Sequence, residues 1–206
     1  GCLLALVDCT GHGVPGAFMT MAVNAALNHL VSVMGIIDPA LVLQALHREM
    51  QTILHQNDMG ESFENGLDAG VCCWAWNEPL LHFAGARIDL YYQDQATPVT
   101  LIRGNRASLG YRRADPDWSL FSRHAIDRTS DRTFYLSTDG LLDQAGGPKG
   151  HGFSRRRFQE VLQQGNGRAL PEQRAALEQA LAAWQGERPQ RDDITVIGFR
   201  PGAGPH

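Results

Sequence analysis

The stretch LLALVDCTGHGVPGAFMTM, Leu3 to Met21, decides the fold. Within it, Gly11-His12-Gly13-Val14-Pro15-Gly16 is a G-x-G-x-x-G between an apolar run and a helix start, the form of a dinucleotide-binding fingerprint. A second reading rests on Asp8, a carboxylate at the end of a buried strand with a glycine-rich turn behind it. The first reading gives a redox enzyme. The second gives a metal site.

The order of elements downstream separates the two. Pro15 suits a first helical turn, where its missing N–H costs nothing. The helix runs to about Met34 and stops at Gly35, and Asp38-Pro39 then caps a second helix to about Gln56. A dinucleotide fold needs a parallel strand at that point, carrying an acidic residue some 20 positions on. Asp38 is better read as a cap, and the glycine pattern as coincidental. From Gly66 onward the chain turns to short strands rich in β-branched and aromatic residues: LDAGVCCWAW, PLLHFAG, RIDLYYQ, weaker ones at Pro98–Ile102 and Trp118–Arg123, and RTFYLSTDG. Helices at Ser154–Gln163 and Pro171–Gln185 and a closing strand, DDITVIGF, complete it. This order predicts an α+β fold, an α-β-β-α sandwich of antiparallel sheets flanked by helices, built as one domain over residues 1–206.

Bulk properties exclude several classes. The 206 residues are 43% hydrophobic with a formal net charge of -4, which argues against nucleic acid or an anionic membrane as partner. The four cysteines, Cys2, Cys9, Cys72 and Cys73, include no C-x-x-C, so neither a zinc ribbon nor a disulfide framework is expected and a reducing compartment is. Six residues after them stand Asp8, Pro15, Glu78 and Pro79, never arginine, which removes a C-x5-R phosphatase loop. Val14 to Ile37 is nearly continuous in apolar residues, but Thr20, Asn24, Asn28 and Ser32 mark a polar stripe on one face. It reads as a helix buried on most of its surface rather than one in a membrane.

Three carboxylate sites share one setting. Asp8 ends an apolar strand, Asp139 ends YLST before Gly140, and Asp192-Asp193 open ITVIGF. Each taken alone is an ordinary turn former or cap. Three such groups brought together would force protonation by mutual repulsion unless one or two divalent cations with hard oxygen ligands joined them.

The segments VDCTGHGVPGAFMTM, LDAGVCCWAWNEPLLHFAGARIDLYY, YLSTDGLLDQAGGPKGHGFSRRRFQEVL and RDDITVIGFR run in order along the chain. In this combination it resembles the PPM-type, protein phosphatase 2C-like family, in the SpoIIE/RsbU branch. The resemblance implies a metal-dependent phosphatase acting on phosphoserine or phosphothreonine with two Mn²⁺ or Mg²⁺ ions and no protein nucleophile. It makes Asp8 the ion-bridging ligand, Cys9 a ligand through its backbone carbonyl, and Asp139 and Asp192 ligands of the second ion. Asp193 falls in a supporting position; His12 could protonate the leaving oxygen, and Asp68 could serve an additional ion. Bound to such ions, water falls from a pKa of about 15.7 towards neutrality. The family's first motif, a Gly-Gly-Asp segment, would lie ahead of Gly1, so the expectation is a domain truncated at its N-terminus and impaired alone. The resemblance further implies a phosphorylated STAS-domain partner, a cytoplasmic domain whose parent is anchored at the inner membrane, and a homodimer. Two alternatives stay open: a pseudophosphatase that binds phosphoprotein without hydrolysing it, and a metal phosphodiesterase acting on nucleotides.

Overall fold

A computed structural model describes residues 1–11, 13–56, 66–110 and 121–202. In chain order the elements begin with β1 (Cys2–Cys9), α1 (Gly13–Asn28), a π-helical continuation (His29–Val33) and α2 (Pro39–Gln56). Six strands follow: β2 (Leu67–Trp74), β3 (Leu80–Ala86), β4 (Leu90–Gln93), β5 (Thr100–Ile102), β6 (His124–Asp127) and β7 (Thr133–Ser137). The chain ends with α3 (Asp139–Asp143), β8 (Ala145–Gly146), β9 (His151–Gly152), α4 (Ser154–Gln164), α5 (Leu170–Gln185) and β10 (Val196–Phe199). The fold is α+β, as expected, and every strand pairing is antiparallel. The chain divides into two compact units, residues 1–88 with 103–127, and 89–102 with 128–205.

The first unit is a sheet in the order β1-β2-β3-β6 with α1 and α2. Met19, Val23, Ala26 and Leu30 recur at helical spacing and are buried, as are Val42, Leu43, Leu46 and Met50 of α2. They pack with Leu67, Ala69 and Val71 of β2 and Ala84 and Ala86 of β3. Asp38 starts α2 as anticipated: its Oδ1 accepts the N–H of Ala40 (2.9 Å) and of Leu41 (3.1 Å), while Arg123 donates to Oδ2 at 2.7 Å. Gly35, at φ +69°, stops the preceding helix, which a side chain would resist in that conformation.

Two expectations are corrected here. β1 is not fully buried: only Leu6 is, because β1 lies at the edge of its sheet and one flank stays open. Nor is the first helix buried on most of its surface. Gly13–Val33 is long and apolar enough by length and composition to cross a membrane, with mean hydropathy 1.2, yet 28% of that window is buried. Val14, Phe18, Met21 and Val33 face outward alongside the polar stripe of Thr20, Asn24, Asn28 and Ser32. A single packed stripe satisfies the contacts this helix makes in its unit.

The second unit is a sheet in the order β10-β7-β4-β5 with α4 and α5. Its core gathers Tyr91, Tyr135, Leu141, Phe153, Phe158 and Leu162, with Tyr91 edge-on to Phe158 at 5.0 Å between ring centres. Buried Tyr135 donates its hydroxyl to Gln173 and accepts from Gln93 Nε2 at 2.9 Å, so the polar tip of the ring is satisfied inside the core. The basic run Arg155-Arg156-Arg157 is engaged rather than free. Arg155 pairs with buried Asp89 (2.8 Å), Arg156 with Glu160 (2.9 Å), and Arg157 lies 3.5 Å over the Trp184 ring. Of the weaker strands, Pro98–Ile102 forms as Thr100–Ile102. Half of Trp118–Arg123 lies outside the described residues, residues 121–123 form no strand, and the strand falls at β6 instead.

One buried ion pair sets a pH response in this unit. Asp94 Oδ2 accepts Arg132 Nη2 at 2.6 Å and Nε at 3.1 Å, and Oδ1 accepts the Thr97 hydroxyl and the N–H groups of Ala96 and Thr97. The Arg132 bonds, followed by that of Thr97, hold its carboxyl down at about 2. A folded-state pKa below the unfolded value makes the contribution complete above about pH 4 and lost as pH falls through about 2. Asp94→Asn should therefore cost ~2 kcal/mol at pH 7. In urea melts, the gap from the parent chain should shrink between pH 4 and pH 2; a gap independent of pH would contradict the pair's role.

Candidate active site

In the first unit, β1 and β2 pair so that Asp8 stands directly opposite Asp68 and Cys9 opposite Leu67. Residues paired this way across an antiparallel ladder have Cα atoms about 5 Å apart. Both carboxylates thus sit at one end of the sheet. The turn behind Asp8 is fastened to β2 by Thr10: its N–H donates to the Gly66 carbonyl (2.9 Å), its hydroxyl donates to the same oxygen (2.8 Å), and the Gly66 N–H donates back to that hydroxyl (2.8 Å). Gly11 and Gly13 have φ of +100° and +67°, and a Cβ on Gly16 would lie 2.7 Å from the Gly11 carbonyl oxygen. The glycines of the fingerprint-like motif therefore serve the turn's backbone shape and its close approach to α1. β1 pairs antiparallel with β2, which removes the dinucleotide reading.

Asp68 is half-buried and forms an ion pair with Arg87, Nε to Oδ2 3.3 Å. The Cys9 thiol is pushed up by burial, partly opposed by a hydrogen bond with Thr20, so it stays protonated at neutral pH. Its side chain is no ready metal ligand; only its carbonyl could be. Burial raises the thiols of Cys72 and Cys73 as well, Cys73 to about 11, and all four cysteines are unbridged.

In the second unit, Asp139 opens α3 where β7 ends, and the Asp192-Asp193 segment passes directly over it. The Thr138 N–H donates to the Thr195 carbonyl (3.1 Å), its hydroxyl donates to the Asp193 carbonyl (3.1 Å), and the Thr195 N–H donates to that hydroxyl (3.0 Å). Gly140 lets the segments meet, because a Cβ there would stand 2.3 Å from the Asp193 carbonyl oxygen. The Asp193 N–H donates to Asp192 Oδ1 at 2.8 Å, and the carboxylate-bearing residues Asp139, Asp192 and Asp193 are all exposed.

Asp8 and Asp68 are thus brought together in one unit, and Asp139, Asp192 and Asp193 in the other; His12 lies outside the described residues. Among the described residues, no three His, Cys, Asp or Glu side chains converge closely enough to hold a metal ion. The donors themselves, carboxylate and carbonyl oxygens, are of the kind hard divalent cations take. Sequence reasoning missed the two threonine clamps. Their signal was present: Thr10 stands two residues after Asp8, and Thr138 immediately before Asp139, each beside a glycine or a Asp-Gly turn.

Known phosphatases share this chain's fold. The profile of the family described as Stage II sporulation protein E (SpoIIE) matches residues 1–201. The SiaA-PP2C domain of Pseudomonas aeruginosa is 40% identical, with a TM-score of 0.83 over 96% of this chain and 74% of that one. The PP2C phosphatase domain of SpoIIE from Bacillus subtilis, solved with a fragment of its regulatory domain, is 12% identical, with a TM-score of 0.71 over 99% and 55%. The catalytic domain of the serine/threonine phosphatase PstP, in complex with two manganese ions, is 19% identical with a TM-score of 0.63 over 95% and 86%. A search of curated proteins finds no match. The fold is that of PP2C-type serine/threonine phosphatases. The chain belongs to the SpoIIE family within that class.

Proposed function

We propose that this chain hydrolyses phosphoserine and phosphothreonine esters on a bacterial regulatory protein, with Asp8, the Cys9 carbonyl, Asp139 and Asp192 holding divalent cations. The observation that carries the reading is the 40% identity to the SiaA-PP2C domain across nearly the whole chain. Asp8 and the Asp139–Asp192 pair are each locked at a strand end by a threonine clamp. Their assignment to shared ions comes from the family's motifs. Such ions, Mn²⁺ or Mg²⁺, supply an activated water and charge neutralisation for the transferred phosphoryl group. The residues of this chain contribute placement: Asp8 lies in β1, Asp139 directly follows β7, and Asp192 lies in the loop into β10 that Thr138 fastens through Asp193 and Thr195, so little reorganisation accompanies binding. Asp193, Asp68 and His12 are assigned supporting roles, Asp68 through its position across from Asp8.

Family membership also supports a STAS-like phosphoprotein as substrate, a parent held at the inner membrane with this domain in the cytoplasm, and a homodimeric form. The domain is read as spanning residues 1–206. Hydrolysis of para-nitrophenyl phosphate and of a phosphorylated STAS protein, with Mn²⁺ added after chelation, tests the activity. Turnover that returns with Mn²⁺ on both is the expected result. The competing reading, a pseudophosphatase, draws on the lack of three converging ligands among the described residues. Tight binding of the phosphoprotein with no turnover at saturating Mn²⁺ would select it.

A further inference from the structure

A second feature of the first unit lies beside Asp68. Arg87 adopts φ +59°, a conformation that a long unbranched side chain rarely takes and that costs of order 1–2 kcal/mol. Its backbone is held there from both sides. Arg87 bridges Ala69 of β2, and its N–H donates to the Asn105 carbonyl at 2.8 Å. The Asn105 N–H in turn donates to the Gly85 carbonyl at 2.7 Å, and Asn105 Oδ1 accepts the Ser122 N–H at 3.0 Å.

Two glycines permit this pinch. A Cβ on Gly85 would lie 2.1 Å from the Ile88 carbonyl oxygen, and one on Gly104 would lie 2.4 Å from the same atom. With both side chains absent, residues 103–106 lie flat against residues 85–87. Arg106 follows Asn105 directly and Arg103 precedes Gly104, so three exposed arginines stand on backbone segments that meet at this corner. Arg87 is 55% exposed and spends one donor on Asp68; Arg103 and Arg106 have no acidic partner among the described residues. Through the Arg87–Asp68 pair these arginines stand beside the Asp8–Asp68 end of the sheet.

We propose that Arg87, Arg106 and Arg103 form a recognition platform for an acidic peptide segment, the Asp/Glu-rich flank of the phosphorylated residue. The proposal rests on the phosphatase reading for its location but not for its chemistry. Planar guanidinium forks donate paired hydrogen bonds to carboxylates, and exposed cations of this kind act chiefly on encounter rate and partner choice. The strained Arg87 backbone aims one fork, and the Asn105 tether carries the second. Each exposed contact contributes a factor of about 2 to 5 at low ionic strength, falling as salt rises.

The test uses three variants of the whole chain: Arg87→Asn, which keeps a residue type tolerant of positive φ, Arg106→Gln, and the pair with Arg103→Gln added. First, fluorescence anisotropy with an unphosphorylated Asp/Glu-rich peptide reads binding without catalysis. The triple variant should bind at least about 10-fold more weakly at 50 mM salt, and the gap should narrow at 500 mM. Equal affinity of parent and variant, or a gap insensitive to salt, overturns the platform. Second, kcat/KM is compared on two phosphopeptides that differ only in acidic or neutral flanks. The ratio in favour of the acidic peptide should fall by about 10-fold in the triple variant. Equal loss on both peptides overturns the proposal and makes Arg87 a positioning residue for Asp68. If the parent chain hydrolyses neither peptide, the phosphatase reading fails, while the anisotropy result still decides the platform.

Discussion

Asp139→Asn should lower kcat/KM towards a phosphoserine peptide by at least ~10³-fold, about 4 kcal/mol of transition-state stabilisation, while leaving the fold intact. The substitution keeps size and shape and removes one formal charge. Asp139 is exposed at the end of β7, so little packing depends on it, and the Thr138 clamp that orders the strand end uses neighbouring backbone groups. Asp139 is the first residue of α3, where an exposed anion contributes about 0.3–1 kcal/mol, and removing its charge costs about that much. A hard divalent cation, in contrast, loses an anionic ligand for which an amide oxygen is a poor replacement. Mn²⁺ titration by calorimetry should therefore show weakened binding in step with the loss of turnover, and a thermal melt without metal should be nearly unchanged. Full turnover in Asp139→Asn would remove Asp139 from the site.

The strand-end positions of Asp8 and Asp139 were legible in the sequence because each closes an apolar run, Asp8 two residues before Thr10, where the Gly11 turn begins, and Asp139 directly before Gly140, a pattern set within a few residues. The start of α2 was legible for the same reason: Asp38 caps it through its own side chain, two and three residues along. What could not be read depends on contacts across long separations. The register that sets Asp8 against Asp68 spans two helices and the chain between them and β2, and only sheet pairing fixes it. Whether β1 is buried depends on whether another strand lies on its outer flank, which its apolar composition does not record. The exposed face of α1 shows the same limit, since an apolar side chain marks what can be buried rather than what is. Arg87 is a surface ion-pair partner, and its left-handed backbone is imposed by Ala69 and Asn105, far away in the chain.

Gly140 gives the sharpest separation of geometry from ligand chemistry. Its backbone does not have positive φ, so an alanine there meets no dihedral penalty of the left-handed kind; the obstacle is space alone. The new Cβ would stand 2.3 Å from the Asp193 carbonyl oxygen and 3.0 Å from its carbon, both backbone atoms that cannot rotate aside. Either α3 or the segment leading into β10 must move. Movement breaks the bonds from Thr138 to Thr195 and Asp193, which contribute about 1 kcal/mol each. With the overpacking cost of about 1–3 kcal/mol, Gly140→Ala should destabilise the second unit by ~3–4 kcal/mol in urea melts. Gly167→Ala is the control: φ is +77° and nothing lies within 4 Å, so it carries dihedral strain of about 1–2 kcal/mol and no collision. Because the collision falls between Asp139 and Asp192–Asp193, Gly140→Ala should also weaken Mn²⁺ binding at temperatures where the unit is still folded, although every carboxylate remains. Gly167→Ala should leave that binding unchanged. Equal Mn²⁺ affinities in the two variants would mean that the close approach at Gly140 serves packing only, and that Asp139 and Asp192 do not act as one site.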